Sequence, residues 1–142
     1  MNACPLPGPI TRRAALRATL LAAGAATGVA HAQPSADAVP LETARAQHEA
    51  AAVVLIDIRE PDEHARGVAP GARLLPMRQL AGRLSEIPTD PAKPVLLICN
   101  TQNRSSAVVR ALRERGYGNV RYVTGGMSEW ARRGWPLVAP RL

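Results

Sequence analysis

Two continuous β-rich runs, apolar but for Asp57, constrain the fold of this chain more than any other feature: Val53-Val54-Leu55-Ile56-Asp57-Ile58 and Pro94-Val95-Leu96-Leu97-Ile98. Both are short, β-rich and without alternation of apolar and polar residues. Such a run is covered on both faces, as strands of a parallel sheet between helices are. The flanking segments fit that arrangement. Residues 41–50 have helical composition, and residues 72–75 form a short strand before Pro76. Residues 78–87 read as a helix stopped by Pro88, followed by a turn over 89–93. Residues 59–70, charged and bounded by prolines, read as a loop with room for one helical turn. A helix over 104–115 places Ala107, Val108, Ala111 and Leu112 on one side and meets Gly116 as its cap. Residues 120–123 form a further strand, and a short helix over 127–133 ends at Gly134 and Pro136. Strands alternating with helices predict an α/β fold in three layers, a central parallel sheet of about five strands with helices on both faces. Ligands of such sheets bind outside the carboxyl ends of the strands, where Asp57 and Cys99 both fall.

The first 32 residues of the 142 read as a leader rather than as fold. Arg12 and Arg13 supply a positive start, an Ala/Leu/Gly run follows, and Ala30-His31-Ala32 has the small-x-small form of a cleavage site before Gln33. The run is too short and too rich in Ala and Gly for a stable membrane span. Arg12-Arg13 with Leu16 and Arg17 partly resembles a twin-arginine signal, while Ala15 stands where a bulky apolar residue is preferred, so either export route is open. The expected mature protein is exported, periplasmic or secreted. It has a flexible tail over 33–40, one small domain over 41–138 and a tail over 139–142. Eighteen basic residues less Arg12, Arg13 and Arg17, against eleven acidic ones, leave a mature charge of +4. That balance suits an anionic substrate. Dispersed arginines and only four aromatic residues argue against a nucleic-acid surface.

Cleavage would also remove Cys4 and leave Cys99 as the only cysteine. A single thiol in an oxidising compartment makes no internal disulfide, so it is reactive, bridges to another molecule, or is buried and inert. The surroundings of Cys99 favour reactivity. It ends an apolar strand and opens a polar segment, Asn100-Thr101-Gln102-Asn103-Arg104, before a helix that begins near Ser105. Amides of such a turn and the amino end of the next helix stabilise an anion, and a thiolate is the nucleophilic form of cysteine.

A nucleophile at the head of a strand-loop-helix turn resembles two families, the Cys-x5-Arg phosphatases and the rhodanese sulfurtransferases, whose loop is one residue shorter. Arg104 follows Cys99 after four intervening residues, and Ser105 stands where the phosphatase arginine would be. The count favours rhodanese. Asp57-Ile58-Arg59 with Glu63, Gly67, Pro70-Gly71-Ala72 and Pro76 resembles the amino-terminal signature of that family. Val123-Thr124-Gly125-Gly126 with Trp130, Gly134 and Pro136 resembles the carboxyl-terminal one. The chain is thus similar to a single-domain rhodanese over roughly residues 40–138. The resemblance implies a rhodanese-like fold and transfer of sulfane sulfur from a donor such as thiosulfate to a thiophilic acceptor, cyanide or a thiol, through a Cys99 persulfide.

The resemblance also distributes roles. Cys99 and Arg104 are the catalytic candidates, and Asn100, Thr101, Gln102, Asn103 and Ser105 cradle the persulfide. Arg104 adds a positive charge, its alternative role being a structural ion pair or a helix-surface arginine. Asp57, Arg59 and Glu63 are expected to support the site as one ion-pair network, an arginine bracketed by carboxylates, and Gly125-Gly126 to turn tightly beside the loop. Trp130 and Trp135 read as core or pocket wall, and His48 and His64 as isolated. No cofactor and no metal are implied. Partners would be the small sulfur donor, its acceptor and a periplasmic sulfur-relay protein, with the mature chain a monomer. Three departures from the family pattern stand out. Gln102 occupies a position often held by glycine, so a strained or differently turned backbone is expected. Asn100, Thr101 and Asn103 leave the loop with Arg104 as its one fixed charge, which argues against a dianionic donor. His64 and Val68 replace an aromatic residue and a histidine of the first signature. A non-catalytic sulfur-carrier or docking module is the alternative function, and a phosphatase or arsenate reductase the third.

Overall fold

A computed structural model describes residues 35–141. The expected leader, Cys4, the start of the 33–40 tail and Leu142 lie outside the described residues. Five strands, β1 (Ala38–Val39), β2 (Val54–Asp57), β3 (Arg73–Leu74), β4 (Val95–Ile98) and β5 (Val120–Val123), form one parallel sheet in the order β1-β5-β4-β2-β3. The helices are α1 (Leu41–Glu49), α2 (Pro61–His64), α3 (Met77–Leu80), α4 (Asn103–Glu114) and α5 (Gly126–Arg132).

Strand periodicity sorts the core into two halves. Ile56, Val95, Leu97 and Cys99 point to one face and pack with Val108, Val109 and Leu112 of α4. Leu55, Leu96 and Ile98 point to the other and pack with Leu41 and Ala44 of α1 and Met127 and Trp130 of α5. Because both faces of β2 and β4 are covered, their runs had no polar positions to alternate. Val95, Leu97 and Ile98 are wholly buried, each side chain contributing about 1.5–3 kcal/mol by leaving water.

Sheet order fixes where the site falls. From β2 the chain moves outward to β3, and from β4 it moves the opposite way to β5. The reversal opens a crevice at the carboxyl ends of β2 and β4, the ligand position of doubly wound sheets. Asp57 is the last residue of β2, and Cys99 follows β4 directly.

Two expectations from the sequence need correction. Part of the 33–40 tail is ordered in the sheet: Ala38 and Val39 pair with Tyr122 and Val123, and Asp37 forms an ion pair with Arg113. A two-residue edge strand is too short to show a period. The single helix expected over 78–87 is instead α3 followed by a 3-10 segment, Ala81–Glu86, broken at Arg83 with φ −125° and ψ 24°. Gly82 and the solvent-facing position of this segment leave little to hold a regular helix.

Candidate active site around Cys99

The loop from Cys99 to Ser105 joins β4 to α4, and its floor is the cysteine itself. Cys99 is buried, while Asn100, Thr101, Gln102 and Asn103 are exposed around it. The Ser105 amide, in the first turn of α4, donates to Sγ at 3.4 Å. The Ser105 hydroxyl also lies 3.4 Å from Sγ and donates to the Gln102 carbonyl at 3.2 Å. A hydroxyl in that position accepts from a protonated thiol and, after rotating, donates to a thiolate. The amino end of the twelve-residue α4 adds its positive dipole end to the same sulfur.

The loop is held from behind by the Gly125-Gly126 turn. Gly125 and Gly126 have φ of +77° and +63°, which glycine adopts without a Cβ penalty. The amides of Met127 and Ser128 then donate to the carbonyls of Cys99 and Asn100 at 2.8 and 2.9 Å. A Cβ on Gly126 would lie 2.5 Å from the Cys99 carbonyl oxygen, and closer still to that of Thr101. The Gln102 side chain closes the same junction, its Oε1 accepting from the Gly125 amide at 3.1 Å. Gln102 itself has φ −158° and ψ −8°, outside the left-handed region. The backbone there is turned without the positive φ that calls for glycine, and the side chain ties the loop to the turn.

The charged residues divide differently from the expected network. Asp57 and Arg59 are both buried: Asp57 accepts from Arg59 Nε at 3.0 Å and Nη2 at 2.6 Å. Arg59 also reaches the carbonyls of Glu63 and Gly67. The Glu63 carboxylate is not part of this cluster. It grips Arg104 with both oxygens, at 2.6 and 2.7 Å, while Oε2 also accepts from the Glu60 amide in a capping box on α2. A bidentate charge-assisted pair of this kind is among the stronger polar contacts. The Arg104 hydrogen bond holds the Glu63 carboxyl down at about 2, against the opposing effect of burial. Arg104 thus has the structural ion pair that was its alternative role.

His64 is not isolated. It is buried, with Nε2 3.4 Å from Asp57 Oδ1, close enough for attraction but not aligned as a hydrogen bond. Burial pushes the Asp57 carboxyl up, while His64 and Arg59 pull it down, and the pull is the greater. The sequence carried no signal for this contact, because His64 and Asp57 are on separate elements. His48 is likewise engaged, with Nε2 2.7 Å from the Pro70 carbonyl. Trp130 is core: its indole donates to the Pro136 carbonyl at 2.9 Å and meets Trp135 edge to face at 5.0 Å. Clefts of about 500 and 390 Å³ are lined by residues around Val68–Leu74 side chains and by Val53, Leu96 and Asn119, and Cys99 lines neither.

Comparison with known proteins gives a consistent picture. Residues 40–133 match the Rhodanese-like domain. A sulfurtransferase of Allochromatium vinosum is 44% identical over 88 residues, 62% of this chain and 80% of that protein. The crystal structure of a rhodanese-related protein from Thermoplasma volcanium superposes with a TM-score of 0.64 at 27% identity, covering 72% of this chain and 98% of that one. Thiosulfate sulfurtransferase from Pseudomonas aeruginosa gives 0.63 at 25% identity, over 73% of this chain and 20% of its own length.

Proposed function

This chain belongs to the rhodanese-like family, and on that premise we propose that it transfers sulfane sulfur through a persulfide on Cys99. The observation that carries the reading is the position of Sγ, at the carboxyl end of β4, 3.4 Å from both the amide and the hydroxyl of Ser105. The Cys99 thiolate attacks the outer sulfur of thiosulfate. The S–S bond of the donor breaks, and its electron pair leaves with sulfite. Cys99 now carries the persulfide, Cys–S–S⁻. An acceptor such as cyanide attacks the outer sulfur and leaves as thiocyanate, returning the thiolate. This is covalent, two-step catalysis and needs no carboxylate base. Asp57 and Arg59 serve as structure beneath the site, in keeping with their burial and mutual pairing.

The test is to incubate the protein with thiosulfate or another sulfane donor and measure its intact mass. A species one sulfur atom heavier is expected, and it should be missing from Cys99→Ser. Failure of every sulfane donor to add sulfur would sink the reading.

A second reading is a sulfur carrier or docking module that loads but turns over poorly. The ion-paired Arg104 and the uncharged residues 100–103 favour it. A stable persulfide with negligible cyanide-dependent turnover would select the carrier. Export to the periplasm is part of the proposal and rests on the leader sequence alone. Finding Gln33 as the amino terminus of the protein recovered from a periplasmic fraction would support it.

A further inference from the structure

We propose that Glu63 sets the donor specificity of Cys99 by cancelling the charge of Arg104, so that the loop favours sulfane donors bearing at most one negative charge, such as organic thiosulfonates, over the thiosulfate dianion. The inference rests on the sulfur-transfer reading above and names its substrate class.

The charges around the loop carry the argument. Residues 100–103 are uncharged and exposed, and Arg104 is the one fixed charge between Cys99 and Ser105. Both Arg104 donors that face Glu63 are occupied by its carboxylate, at 2.6 and 2.7 Å. Glu63 is itself held in place, since Oε2 also accepts from the Glu60 amide. The Glu60 carboxylate adds a second negative charge near Arg104 and is offset by the well-exposed Arg78, 3.9 Å away. The charges of Arg104, Glu63, Glu60 and Arg78 therefore cancel, and what these side chains leave at the loop is the partial positive charge of the amino end of α4. A dianion entering the loop gives up hydration with little attraction to replace it, and a monoanion gives up much less. The chemistry is otherwise the same for both donors. The thiolate attacks the outer sulfur of R–SO2–S⁻, the S–S bond breaks, and the sulfinate R–SO2⁻ leaves with the electron pair.

The experiment measures the rate of sulfur loading onto Cys99 with thiosulfate and with methanethiosulfonate. Glu63→Gln removes the negative charge and keeps one acceptor oxygen, which in the place of Oε2 serves both Arg104 Nη1 and the Glu60 amide, while the bond from Arg104 Nη2 is lost. It should raise the thiosulfate-to-methanethiosulfonate rate ratio by about fivefold or more at low salt. Added salt should erase the gain. The double variant Glu63→Gln/Arg104→Gln should return the ratio to that of the unsubstituted protein, and Arg104→Gln alone should lower it. An unchanged ratio in both single variants, with both donors still loading, overturns the role of Glu63 and leaves sulfur transfer standing. Loading by neither donor overturns sulfur transfer, and this inference with it.

Discussion

Gly126 lies directly against the carbonyl of Cys99. A Cβ at that position would stand 2.5 Å from the oxygen, and the next amide, Met127, donates to the same oxygen at 2.8 Å. The loop backbone is therefore set by a turn more than twenty residues downstream.

Gly126→Ala should consequently damage both stability and site. It forces a Cβ into backbone at a φ of +63°. The expected loss is at least about 2 kcal/mol, a melting temperature lower by roughly 8 °C or more. Sulfur loading of the fraction still folded should fall as well. Thermal unfolding and intact mass measure the two effects, and an unchanged melting temperature would contradict the close approach.

Ser105→Ala removes the hydroxyl 3.4 Å from Sγ and keeps the amide. Loss of one hydrogen bond to a charged sulfur should slow loading by roughly tenfold. Ser105→Thr, which restores the hydroxyl, should recover most of the rate. Equal rates for the alanine and threonine variants would remove the hydroxyl from the mechanism.

Gln102→Gly tests whether the side chain matters more than the backbone freedom. Its φ of −158° needs no glycine, and its Oε1 accepts from Gly125. The substitution should cost about 1–2 kcal/mol in denaturant unfolding, from the lost hydrogen bond and a freer unfolded chain. A gain in stability would mean that the position does favour glycine.

The Glu63–Arg104 pair predicts a pH dependence with a definite sign. The folded carboxyl titrates at about 2, below its ordinary value of 4.5. The folded state therefore binds that proton less readily than the unfolded state. Stability from the pair is complete above about 4.5 and is lost as the pH falls toward 2, a contribution of order 1–2 kcal/mol after solvent screening. Asp57, also lowered, adds to acid sensitivity in the same direction. Unfolding midpoints of the unsubstituted protein and Glu63→Gln should thus converge as the pH drops through this window. Parallel curves would show that the carboxylate does not supply it.

Much of the architecture was legible because two continuous β-rich runs, apolar but for Asp57, report burial on both faces. Once β2 and β4 were read as parallel strands, Asp57 and Cys99 had to emerge at the same end of the sheet. The spacing from Cys99 to Arg104 and the Gly125-Gly126 pair were legible too, as local patterns. The edge strand at Ala38–Val39 was not, since two residues carry no period and the pairing partner is more than eighty residues away.

What the sequence by itself determined is the order of the elements, the strand-loop-helix setting of Cys99 and the family. These follow from short-range patterns that one stretch of chain can hold. Only the tertiary structure decided which carboxylate meets which arginine. Glu63 is four residues from Arg59 but forty-one from Arg104, and sequence distance favoured the nearer partner. The fold reverses that choice because the Asp57 carboxylate already occupies Arg59, while α2 brings Glu63 to the start of α4 across the crevice between β2 and β4.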